Sequence, residues 1–232
     1  MKKETIIILA DSPILNPTII KPISNLSISY NIYLHSLLYM NWLEILLAFK
    51  EHFNIISVLS EKDKEFLHKD FFLPEFQNLF YNRQKLKDFL YELLLQPLIK
   101  DSKILIIFHN SIGFKASDIE RYFNLVQTDE ASVVIAKSNH NKILATCIYN
   151  PEREFIDQLI DSERDYNKFL NYLGSKDIFI HTIEGFLSVD DFEDIKKLYI
   201  ELSKKESLSY CSQKMQESFN DLFVEYKELL NV

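Results

Sequence analysis

Six short apolar runs of β character, separated by longer stretches of helical period, leave this chain few ways to bury its apolar surface. The runs are Thr5 to Ala10, Asn54 to Ser60, Lys103 to Phe108, Ser132 to Ala136, Ile143 to Tyr149 and Ile178 to Thr182. Strands alternating with helices predict an α/β fold, a single mixed and mostly parallel sheet flanked by helices. With 232 residues, 47% of them apolar, the chain can bury one substantial core. Apolar runs such as Ile6 to Ala10 and Ile104 to Phe108 are far too short for a membrane span. Met1-Lys2-Lys3 leads into Glu4 and then Asp11 rather than into a secretory apolar stretch, so a cytoplasmic protein is expected.

Between the strands, Tyr30, Tyr33, Leu34, Leu37, Leu38, Trp42, Ile45, Leu46 and Phe49 recur at three- and four-residue steps and predict a long helix, its stripe interrupted by Asn41. Further helices are expected over 83–95, 117–125, 152–160 and 164–173, punctuated by Pro74, Pro97 and Pro151. Ser188-Val189-Asp190-Asp191 reads as a helix start. Residues 1–204 are expected to form the α/β domain and 205–232 a C-terminal helix. Its stripe of Cys211, Met215, Phe219, Leu222, Phe223 and Tyr226 suits packing on that domain or pairing of two subunits as a homodimer.

A formal charge of −8 opposes binding to nucleic acid, and the basic residues are interleaved with acids, as in Glu61-Lys62-Asp63-Lys64-Glu65. Only three glycines occur, so no glycine-rich loop can bring several backbone amides against a phosphate. Cys147 and Cys211 lack the spacing of a metal knuckle and read as core residues.

In an open α/β sheet, ligands sit beyond the carboxyl ends of the strands. The central run Ile104 to Phe108 breaks there into His109-Asn110-Ser111, three polar residues without a carboxylate. They are the first ligand-binding candidates, set against a purely structural role in capping the strand. His140, Asn141 and Lys142, between two predicted strands, and Lys21, after the first, are the others. His109, His140 and Asp190 together are of the ligand type that suits a transition metal. Phe71 to Tyr81, irregular and holding Pro74, is a candidate lid, and Trp42 is weighed as a sugar platform against core packing.

Three blocks carry a family resemblance: ILIIFHNSIGFKASDI from Ile104, ASVVIAKSNHNKILATCI from Ala131, and SVDDFEDI from Ser188. Together they resemble the bacterial glycosyltransferase-A-fold proteins known as selenodomain-associated transferases, cousins of the molybdenum-cofactor guanylyltransferases in the nucleotide-diphospho-sugar transferase superfamily. Asn110 falls on a family aspartate, His140-Asn141-Lys142 replaces an Asp-Gly-Gly turn, and Asp190 and Asp194 are kept. A weaker match puts Asp11 where the family has a basic residue.

The resemblance implies a glycosyltransferase-A-like sheet and a nucleotide or nucleotide-sugar ligand. It also implies Mg or Mn as cofactor if the nucleotide site is retained, with Asp190 as a metal ligand. The exchanged aspartate and glycines predict an eroded, charge-poor site, in a protein that acts by binding with little or no activity. An active divergent glycosyltransferase or nucleotidyltransferase is the alternative.

Overall fold

The computed structural model describes residues 4–82 and 85–230. Arg83 and Gln84, at the start of one expected helix, lie outside them, as do Met1 to Lys3 and the last two residues.

Eight strands form one sheet: β1 (Thr5–Leu9), β2 (Asn54–Ser60), β3 (Gln77–Tyr81), β4 (Lys103–Phe108), β5 (Ser111–Ile112), β6 (Ser132–Ser138), β7 (Ile143–Tyr149) and β8 (Phe179–Ser188). Their spatial order is β3-β2-β1-β4-β7-β6-β8-β5. The pairs β1–β2, β1–β4, β2–β3 and β6–β8 run parallel, while β7 pairs antiparallel with both β4 and β6. The mixed sheet expected from the sequence is thus present. Phe71 to Tyr81 is not a lid: it closes a short 3-10 turn and continues into β3 at the sheet edge, with Phe71, Phe76 and Tyr81 buried.

Helices α1 (Ile28–Leu47) and α3 (Ala116–Leu125) cover one face, and α2 (Leu86–Leu94), α4 (Arg153–Asp161) and α5 (Tyr166–Leu173) the other. Alternate residues of β1 point to opposite faces, Ile6 and Ile8 into one core and Ile7 and Leu9 into the other. Burial on both sides explains why the strand reads as an unbroken apolar run. Ser27 caps α1, its side chain accepting from the Tyr30 amide at 3.3 Å. Trp42 is core, its indole N–H bonded to the Ser111 carbonyl at 2.8 Å, and not a sugar platform.

The chain ends in α6 (Phe192–Leu202), α7 (Gln213–Glu225) and α8 (Lys227–Leu230). Asp191 is the cap of α6, accepting from the Asp194 amide at 2.9 Å, so the helix begins just after the expected start, and Ser188 closes β8. Leu208 lies in a 3-10 turn, and α7 starts at Gln213 behind its Ser212 cap. Met215, Phe219, Leu222 and Phe223 are buried in a third core with Leu34, Leu37 and Leu38 of α1 and Ile195 of α6. Of the two uses expected for this stripe, these four residues take packing within the chain and not pairing of subunits.

Candidate functional site

β1 connects through α1 to β2 and then β3 on one side, while β4 returns on the other side of β1. The chain thus changes direction between β1 and β4, and crevices at such switch points are where α/β sheets hold ligands. A cleft of 1180 Å³ opens there, lined by Asp11 to Pro13 after β1, Phe108 to Asn110 after β4, and the segment Ile20 to Ile23. His35, Lys142, Arg164, Val189 and Asp190 also line it.

Arg164 lines it and joins several of its polar groups. The guanidinium donates to the Asn110 side-chain oxygen and, at 2.9 Å, to Asp190 Oδ1, while its Nε lies 3.4 Å from Asp11 Oδ2. The Phe108 ring lies 5.2 Å below it. Asn110 completes the triangle, its amide N–H donating to Asp190 Oδ1 at 2.8 Å. Ser188 donates its hydroxyl to the other oxygen of Asp190. Burial would raise the Asp190 pKa, but the Arg164 charge, the Ser188 hydrogen bond and the Lys142 charge outweigh it and hold the carboxyl below its ordinary value.

Behind this cluster His35 Nδ1 and His109 Nε2 are 3.1 Å apart. Burial depresses both imidazoles, His35 to about 4 against the opposing pull of Asp190 and Asp11, and His109 well below its ordinary value with His35 and Arg164 adding to the effect. Both are neutral at pH 7, so one ring nitrogen of each carries hydrogen. His109 Nδ1 is buried without a hydrogen-bond partner among the described residues. A stranded N–H there costs more than a stranded lone pair, so the favoured tautomer has His109 Nε2 donating to His35 Nδ1. His35 then carries its hydrogen on Nε2 and is a donor, suited to an anion.

Of the residues expected at the site, His109, Asn110, Lys142, Lys21 and Asp190 line the cleft. Three do not. Ser111 is buried in β5 and donates to the Phe108 carbonyl at 2.6 Å, because the chain turns straight back into a strand. His140, its side chain 57% exposed, faces Asp194 at 3.7 Å and Lys197 on α6. Asn141 holds a turn at φ 57°, its carbonyl accepting from the Tyr166 amide at 2.8 Å.

The expected His109, His140 and Asp190 metal set is consequently not assembled, and no group of three or more His, Cys, Asp or Glu among the described residues could hold a metal ion. Nor do the residues around Asp190 fit the divalent cation implied by the resemblance, since a guanidinium already lies against its Oδ1, Asn110 and Asp11, and Ser188 holds its Oδ2. The crevice is not charge-poor, as the strand ends suggested. Seven acidic and six basic residues among those described line it, and two of the carboxylates, Asp11 and Asp190, converge on Arg164, which offsets one of their two charges.

His35 and Arg164 escaped sequence reasoning. The helical period over 164–173 puts Arg164 at a helix start, yet Asp165 is the better cap residue, and it does cap α5, accepting from the Lys168 amide at 2.9 Å. That signal would have put Arg164 in a loop. For His35, one of several polar residues in α1, no local signal existed.

No protein family and no curated protein matches this sequence. Solved structures do match in fold. A protein from Desulfovibrio desulfuricans G20, assigned as a nucleotide-diphospho-sugar transferase, superimposes with a TM-score of 0.70 at 12% identity, over 100% of this chain and 98% of that one. The 4-diphosphocytidyl-2C-methyl-D-erythritol synthase of Anaerococcus prevotii DSM 20548 gives 0.51 at 10% identity, over 95% of this chain and 96% of its own. The manganese complex of Rv0371c from Mycobacterium tuberculosis H37Rv gives 0.51 at 10%, over 85% and 98%. The fold is therefore that of the nucleotide-diphospho-sugar transferases. No described helix is long and apolar enough to cross a membrane.

Proposed function

We propose that this chain binds a nucleotide or nucleotide sugar in the cleft between the ends of β1 and β4, as a cytoplasmic nucleotidyl- or glycosyltransferase-like protein. Within that fold, the three sequence blocks favour kinship with the selenodomain-associated transferases. The observation that carries the proposal is the cleft itself, which lies at the switch point and has Lys21, Lys142 and Arg164 among a mixed acidic and basic lining, cations able to meet a phosphate. The His35 N–H adds a neutral donor. Binding, with little or no turnover, is the primary reading.

Group transfer to an acceptor is the second, favoured by one observation: 1180 Å³ exceeds the roughly 300–1,000 Å³ typical of a single small-ligand pocket. Calorimetric titration with UDP, CDP, GDP and their sugar conjugates tests the proposal. At least one should bind with 1:1 stoichiometry, and the Lys21→Ala, Lys142→Ala double variant should weaken it about tenfold, ~1.4 kcal/mol. Failure of every nucleotide to bind at several millimolar would refute it. Chromatography of the same mixtures for released nucleotide separates transfer or hydrolysis from binding alone.

A further inference from the structure

We propose that the Arg164 guanidinium is a built-in cation that stands in place of a divalent metal, so that the cleft takes its phosphorylated ligand without one. The proposal extends the nucleotide-binding reading above, but its first half, exclusion of metal, stands without it.

Two carboxylates and an amide oxygen converging at the mouth of a sheet form the hard oxygen set that a small dication takes. Here Asp11, Asp190 and the Asn110 oxygen all face Arg164, whose side chain is 11% exposed. Asn110 is matched to this arrangement. It accepts from Arg164 on one atom and donates to Asp190 on the other. An aspartate could not donate, and would set a third carboxylate oxygen against Asp190 Oδ1 where the amide nitrogen now lies at 2.8 Å. The amide at this position thus goes with the guanidinium, and is not simply the loss of an acid.

The backbone gives a second, independent sign. Glu163 and Arg164 are consecutive left-handed residues, φ 53° and 64°, and neither is a glycine or asparagine that would adopt this region cheaply. Their loop is tied to β7, the Ile143 amide donating to the Arg164 carbonyl at 2.6 Å and Lys142 bridging to Asp165. A strained but pinned turn is what delivers the guanidinium into the cleft. Its two hydrogen bonds use one hydrogen on Nη1 and one on Nη2, with Nε paired to Asp11 by charge at 3.4 Å, so each Nη keeps a second hydrogen to offer a phosphate oxygen.

Two probes test this. Manganese binding is read by electron paramagnetic resonance on the wild type, on Arg164→Lys, and on the Arg164→Ala, Asn110→Asp double variant, each checked for fold by circular dichroism. The wild type and Arg164→Lys should leave manganese free at millimolar concentration, and the double variant should bind it at least about tenfold more tightly. Tight manganese binding by the wild type overturns the proposal, as does its absence from a folded double variant. Inorganic pyrophosphate and the nucleoside diphosphates are then titrated with and without EDTA. Wild-type affinity should be the same in both, and loss of binding in EDTA overturns the proposal. If no phosphate compound binds in either condition, the nucleotide reading fails, while the manganese result still decides whether Arg164 excludes metal.

Discussion

Asp63 is fully buried, and its two carboxylate oxygens accept from three successive amides, Ile14 at 3.0 Å, Leu15 at 2.9 Å and Asn16 at 3.0 Å. Those amides belong to the loop that follows β1 and carries Asp11, Ser12 and Pro13 along the cleft. In the sequence Asp63 is one acid within a charged cluster, Glu61 to Glu65, which reads as a solvated surface. Only folding turns it inward. Asp63→Ala would strand two buried donors and a third, part-buried one, and should cost about 3 kcal/mol. At ~2–4 °C per kcal/mol for a chain of this size, the thermal midpoint should fall by roughly 6–12 °C, measured by differential scanning calorimetry. Ligand affinity should fall with it, because the loop loses its anchor. An unchanged midpoint would show that water replaces the carboxylate.

Among the elements, α7 depends on a fully buried aromatic side chain. Phe219 is fully buried between α1 and α6, and the Tyr33 hydroxyl donates to the Ser218 carbonyl at 3.1 Å. Asn41, the polar break in the α1 stripe, donates to the Tyr210 carbonyl at 3.2 Å and so fastens the chain just before α7. The break is a docking point. Phe219→Ala should cost about 3–5 kcal/mol through lost burial and an unfilled cavity. Chemical denaturation should show it as a lower midpoint at unchanged slope. If α7 instead frays and leaves the sheet intact, the slope will fall as well, and proteolysis will clip the chain after Ser212.

For the whole molecule, the buried histidines predict how stability responds to acid. His35 titrates at about 4 in the folded protein against an ordinary 6.5, and His109 is displaced in the same direction. Between those pH values the unfolded chain binds more protons than the folded one. Stability therefore falls as the pH drops from 6.5 towards 4, by about 1.4 kcal/mol per pH unit for each proton, and this contribution is fully present above 6.5. His35→Asn should flatten the dependence of the urea midpoint between pH 4.5 and 7. An equally steep curve in the variant would assign the effect to other groups.

The alternation of apolar runs and helical periods was enough to determine the α/β sheet, because strands buried on both faces and amphipathic helices leave local signatures. His109, Asn110, Lys142 and Lys21 were legible for a related reason: the residues after a buried strand, and the cations in neighbouring loops, fall near its carboxyl end. Sequence alone could not say that His140 and Asn141 turn away or that Ser111 is drawn into β5, since side-chain direction in a turn depends on what packs beneath it. It also could not bring Arg164 to Asp11, Asn110 and Asp190, which are 153, 54 and 26 residues away along the chain. Charge is a property of a place in space. Only the tertiary structure, by closing those distances, converted a strand end without acids into a place where two carboxylates meet one arginine.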